Sequence, residues 1–79
     1  MMSPDAPSHT VDEAPGARVV SHVRRGIREG RYQAGQKLPS EHQLARDLDV
    51  ARGTVRLALR KLEDEGLIRG MGRGGRFVS

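Results

Sequence analysis

Residues 38–62 read LPSEHQLARDLDVARGTVRLALRKL, and two apolar rhythms within them decide the fold. In the first, Leu44, Ala45 and Leu48 make an i, i+1, i+4 stripe with Arg46 and Asp47 turned outward, the pattern of a short amphipathic helix. Its start is spelled out by Pro39 and Ser40. With Ser40 as the N-cap, Gln43 falls at N3 and completes an S-x-x-Q capping box. Asp49 and Val50 end that rhythm. A second one begins at Val55 and runs through Ala58, Leu59 and Leu62, one buried helical face, which leaves Arg52, Gly53, Arg56 and Arg60 on the other side. Glu63, Asp64 and Glu65 lie in the last turn, where acids oppose the helix dipole, and Gly66 is placed as the C′ residue. Two short helices joined by a sharp turn read as a helix-turn-helix.

Upstream, ARVVSHVRRGIREGRY at 17–32 repeats Val20, Val23 and Ile27 at i, i+3, i+7, with Val19 widening the stripe. This predicts a helix of about three turns, which Gly26 weakens and Gly30 stops. Tyr32 is expected to plug the core and Gly35 to supply a turn, with Lys37 and Leu38 as a short extended segment. Downstream, Leu67-Ile68-Arg69 and Arg76-Phe77-Val78 flank the glycine-rich GMGRGG, which describes a β-hairpin. Three helices followed by a hairpin make a mainly α winged helix-turn-helix. The hairpin turn also matches G-x-G-x-x-G through Gly70, Gly72 and Gly75. A dinucleotide fingerprint needs a following helix, and only four residues follow here, so the match reflects glycine abundance.

Residues 1–16 hold three of the four prolines and no apolar period, so they are expected to form a disordered tail before a domain at 17–79. That tail carries Asp5, Asp12 and Glu13 without Lys or Arg, a charge of −3, whereas the remainder carries all 14 basic side chains against seven acids, a charge of +7. A polyanionic partner fits this asymmetry. The 79 residues allow one small domain, and one Phe, one Tyr and no Trp leave it an aliphatic core. With no cysteine, disulfides and thiolate metal sites are excluded. His9, His22 and His42 contain no i, i+4 pair, and His22 is expected to be a lone surface histidine, so no metal and no cofactor are expected. No apolar run reaches about 18 residues and no signal-peptide pattern opens the chain, which predicts a soluble, cytoplasmic protein without a membrane partner. No paired nucleophile and base is present to suggest an enzyme.

In this order and spacing, several motifs resemble the N-terminal DNA-binding domain of the GntR family of bacterial transcription regulators. They are G-x-Y-x-x-G at 30–35, LPSE at 38–41, V-x-R-G-T-V-R at 50–56, A-L-x-x-L at 58–62, E-G-L at 65–67 and G-x-G…F-V at 72–78. The resemblance implies that Arg52 and Arg56 contact DNA, that Thr54 supports phosphate or base contacts, and that Gly72 lets the wing tip approach the minor groove. The chemistry agrees, since arginine can bond guanine O6 and N7 in bidentate fashion and Arg73 at the tip can enter a narrow minor groove. The expected DNA-binding set is Lys37, Ser40, His42, Arg52, Gly53, Thr54, Arg56, Gly72 and Arg73. The chain departs from the family at three of its positions: Ala51 stands where serine is usual, Gly53 where a hydroxyl residue is common, and His42 where several members carry arginine.

The expected function is sequence-specific binding of double-stranded DNA in transcription regulation, as a repressor in most of the family. Two alternatives are a winged-helix protein-interaction module, with Leu57 as a contact, and a nonspecific basic nucleic-acid binder. Family members also carry a C-terminal domain that binds a small effector and dimerises. The chain is therefore either a small protein that has no sensor or, as is expected here, an excised domain; the isolated chain is expected to be monomeric and, if it is a fragment, the full-length protein a homodimer with a small-molecule effector domain on a two-fold symmetric operator.

Overall fold

The structure is a computed structural model and describes residues 14–70 and 74–79. Helix α1 is Pro15–Arg28, α2 is Glu41–Leu48, α3 is Arg52–Asp64, and strands β1 (Ile68–Gly70) and β2 (Arg76–Val78) form an antiparallel hairpin. This is the expected three-helix winged fold. The wing tip, with Gly72 and Arg73, and residues 1–13 of the expected tail lie outside the described residues.

Helix α1 starts at Pro15, two residues before the expected boundary at Ala17. Proline causes the difference: at N1 its fixed φ suits the helix and its missing N–H is one that would lack a partner anyway. Ala14 is the N-cap, and its carbonyl accepts from Arg18 N–H at 3.0 Å. The buried stripe centres on Val19 and Val23, both 0% exposed, with Val20 and Ile27 packed at its margins. Gly26 is buried as well, and it does more than weaken the helix. A Cβ there would stand 2.5 Å from the Tyr32 ring, so the missing side chain is the seat on which Tyr32 packs. His22 differs from the expected lone surface histidine, being half-buried with Nε2 3.1 Å from the Tyr32 hydroxyl. Burial, and then the charges of Arg31 and Arg25, hold its pKa below the usual 6.5.

Only half of the expected capping box forms at α2. Ser40 Oγ accepts from Gln43 N–H at 3.1 Å, but the Gln43 amide donates forward to Asp47 at 3.2 Å instead of reaching back. The Asp47 carboxylate holds the Gln43 amide nitrogen one turn ahead, so the amide oxygen is not brought back to the Ser40 N–H. The helix closes through Asp49 in the left-handed region (φ 57°), with Val50 N–H bonded to Ala45 O at 3.0 Å. Helix α3 closes in the same way through Gly66 (φ 81°), as Leu67 N–H reaches Leu62 O at 3.1 Å and Gly66 N–H reaches Glu63 O at 2.9 Å. Two of its terminal acids also have partners elsewhere: Glu65 pairs with Arg24 and Glu63 with Arg76, both at 2.9 Å.

The core joins Val19 and Val23 of α1 to Leu44, Val55, Leu59, Leu62, Ile68 and Val78, all at most 3% exposed. At roughly 1.5–3 kcal/mol for each fully buried aliphatic side chain, this set drives folding. The hairpin pairs Ile68 with Val78, Arg69 with Phe77 and Gly70 with Arg76. Lys37 bridges to Phe77 on the other edge of β2, and Leu38 N–H bonds to Arg76 O at 2.8 Å. The extended segment expected at Lys37 and Leu38 thus runs alongside β2 and brings Lys37 to the base of the wing.

Candidate nucleic-acid interface

Helix α3 begins without a side-chain cap. Ala51 has the extended N-cap conformation (φ −70°, ψ 148°) but no oxygen to offer, so no side chain accepts from the N–H groups of the first turn. Arg52 and Gly53 are exposed there, and a Cβ added at Gly53 would meet nothing within 4 Å. The result is a bare, positively polarised helix end of the kind that attracts anions.

Beside it lies an open groove of about 330 Å³ whose walls include Lys37, Ser40, His42 and Arg52, with Gly75 and Arg76 on the wing side. Four residues expected from the sequence therefore converge from three elements: the strand-like segment, the start of α2 and the start of α3. Ser40 uses an oxygen lone pair inward on Gln43 N–H and keeps its own O–H as a donor. Lys37 lies across Gly75, where a Cβ would sit 2.9 Å from Lys37 Cε. Gly75 has φ 93°, so it is a second wing glycine that conformation requires, while the Lys37 side-chain end could shift to make room.

Arg56 flanks this groove one turn further along α3, its side chain 57% exposed. It is held by Glu41, with Nη2 3.3 Å from Oε1. Glu41 also accepts from Arg76 Nη1 at 3.0 Å, and Arg76 Nε donates to Glu63 at 2.9 Å. Hydrogen bonds from Arg56, and secondarily from Arg76, outweigh the opposing effect of burial and hold the Glu41 carboxyl below its usual range. Sequence reasoning missed Glu41, Arg76 and Gly75 as site residues. The available signal was a charged residue, Arg76, opening a strand that otherwise reads as apolar.

Thr54 is placed elsewhere. Two positions from both Arg52 and Arg56, it is rotated by roughly 200° around the helix from each. It lines a different groove between α1 and α3, together with Gly16, Val20, Leu57 and Lys61. Leu57, 67% exposed, is the one exposed large hydrophobic side chain among the described residues. Gly72 and Arg73 belong to the expected set but lie outside the described residues. Among those residues no helix is long and apolar enough to cross a membrane.

Residues 15–78 match the family model described as bacterial regulatory proteins, gntR family. The chain belongs to the GntR family. Within it, the chain is 45% identical over 60 residues to the putative L-lactate dehydrogenase operon regulatory protein of Escherichia coli (strain K12), covering 76% of this chain and 23% of that protein. It is 36% identical over 62 residues to the HTH-type transcriptional repressor NagR of Bacillus subtilis (strain 168), covering 78% and 26% respectively. The chain thus spans about a quarter of the length of these two relatives. Among solved structures, AraR(DBD) in complex with operator ORE1 superposes with a TM-score of 0.82 at 31% identity, covering 85% of this chain and 82% of that one.

Proposed function

We propose that this GntR-family domain binds double-stranded DNA sequence-specifically and regulates transcription as a repressor, a role that its likeness to NagR supports. One observation carries the reading: Lys37, Ser40, His42 and Arg52 meet in a single groove beside the uncapped start of α3, with Arg56 at its edge. In this reading α3 enters the major groove, Arg52 and Arg56 read base edges, and Lys37 with the bare helix end holds phosphates. The neighbour AraR(DBD), bound to its operator, supports the same use of the fold. The placement of Thr54 fits a helper at the flank better than a partner of the two arginines. The domain acts in the cytoplasm, where bacterial DNA is, and as a binding module with no catalytic step.

The 79-residue chain acts as a monomer on a half-site, because its apolar stripes are spent on one core. If the chain is a fragment of a longer protein, that protein is a homodimer with an effector-binding domain on a two-fold symmetric operator. The test begins with duplexes selected by the chain from a random pool. A labelled selected duplex is then competed with unlabelled selected and scrambled DNA. The reading predicts that scrambled competitor is needed in large excess. Equal competition would reduce the domain to a nonspecific basic binder, and no binding at all would favour a protein-interaction module.

A further inference from the structure

Arg56, Glu41, Arg76 and Glu63 form an alternating chain of charges that no catalytic or metal-binding role explains. It runs from the second turn of α3 to the first residue of α2, then to the start of β2, and back to the last turn of α3. Its two inner members are the least exposed, Glu41 at 17% and Arg76 at 23% of side-chain surface, while Arg56 remains 57% exposed. An ion pair as exposed as Arg56–Glu41 contributes little to stability. The part-buried Glu41–Arg76 pair can serve stability, but that does not account for the reach of the same carboxylate to Arg56 across a surface that is otherwise cationic. A carboxylate there repels a polyanion, so its presence needs another reason.

Geometry supplies one. Glu41 touches both elements that a winged helix presents to a duplex, the recognition helix through Arg56 and the wing strand through Arg76. A free arginine side chain samples many rotamers and must be ordered on binding, at a cost that preorganisation removes. We propose that Glu41 is a positioning residue that sets sequence specificity: it aims Arg56 and ties the wing to the recognition helix, at the expense of nonspecific affinity. The proposal rests on the DNA-binding reading above. It gives Glu41 a signature that a merely structural residue lacks, opposite effects on cognate and on random DNA.

The experiment measures binding of the full 79-residue chain to a selected duplex and to its scrambled counterpart, for the parent, Glu41→Gln and Glu41→Asp. Circular dichroism and thermal melting check that each variant is folded. Glu41→Gln removes the charge and should weaken binding to the selected duplex while tightening binding to the scrambled one. The discrimination ratio should fall about tenfold, the lower end of what one arginine–guanine contact contributes. Glu41→Asp keeps the charge but is shorter by one methylene. It should leave scrambled-duplex affinity unchanged and still lower the ratio, which separates reach from charge and serves if Glu41→Gln fails to fold. Ratios within twofold of the parent in the folded variants would overturn the proposal, as would equal losses on both duplexes. A parent chain that binds both duplexes alike would instead refute the DNA-binding reading itself.

Discussion

The two helices of the helix-turn-helix begin in opposite ways. Helix α2 starts behind Ser40, whose hydroxyl accepts from Gln43 N–H, whereas α3 starts behind Ala51 and has no side-chain cap. Both N-caps have extended backbones, so the contrast lies in chemistry alone. A capped start spends its side chain on holding the fold together. An uncapped start leaves its first N–H groups facing outward, and here those groups belong to Arg52, Gly53 and Thr54, three residues singled out for DNA contact. The weaker helix end is therefore the one available to a ligand.

The largest effect expected from this contrast is on binding. Arg52→Ala should cost about 1–3 kcal/mol on a selected duplex and much less on a scrambled one. Anisotropy titrations of both duplexes read it, and equal losses would remove Arg52 from base readout. Next come the caps, which should respond with opposite signs in urea melts. Ser40→Ala should destabilise the fold by about 1 kcal/mol, while Ala51→Ser should stabilise it by a similar amount. If Ala51→Ser changes nothing, the α3 start is already satisfied and the contrast fails.

Much of this was legible in the sequence, for local reasons. Pro39 and Ser40 announce α2, Gly66 announces the end of α3, and the apolar spacing of Val55, Ala58, Leu59 and Leu62 falls on the buried face. Lys37, Ser40, His42 and Arg52, all in the DNA-binding set expected from the sequence, share one groove. What escaped depends on contacts between residues far apart in the chain. Gly26 reads as a helix weakener until the Tyr32 ring is seen lying over it, and His22 as a surface residue until the Tyr32 hydroxyl reaches it. The Glu41–Arg76 pair spans 35 positions and has no periodic signature at all.

Smaller effects sharpen the same picture. Asp49 holds the turn between the two helices at φ 57°, a conformation that costs an L-residue something and glycine nothing. Asp49→Gly should therefore stabilise the fold by up to about 1 kcal/mol in urea melts, with binding unchanged. The smallest effect is at His22, on α1. Its folded pKa lies below 6.5, so the folded state favours the neutral ring. That contribution is fully present above the unfolded value and is lost as pH falls below about 6.5 toward the folded one. The melting temperature should drop between pH 7.5 and 5.5, and His22→Gln should shrink the drop. An unchanged drop would show that His22 is not its source, since Glu41, whose carboxyl is held below its usual 4.5, acts only at more acidic pH.

Where DNA touches the domain is the decisive question. Amide chemical-shift mapping of the ¹⁵N-labelled chain during titration with a selected half-site duplex answers it residue by residue. The largest shifts are expected at Lys37, His42, Arg52, Gly53 and Arg56, around the uncapped start of α3, with Val20, Leu57 and Lys61 in the α1–α3 groove nearly unmoved. Largest shifts in the α1–α3 groove, with the α3 start silent, would contradict this reading.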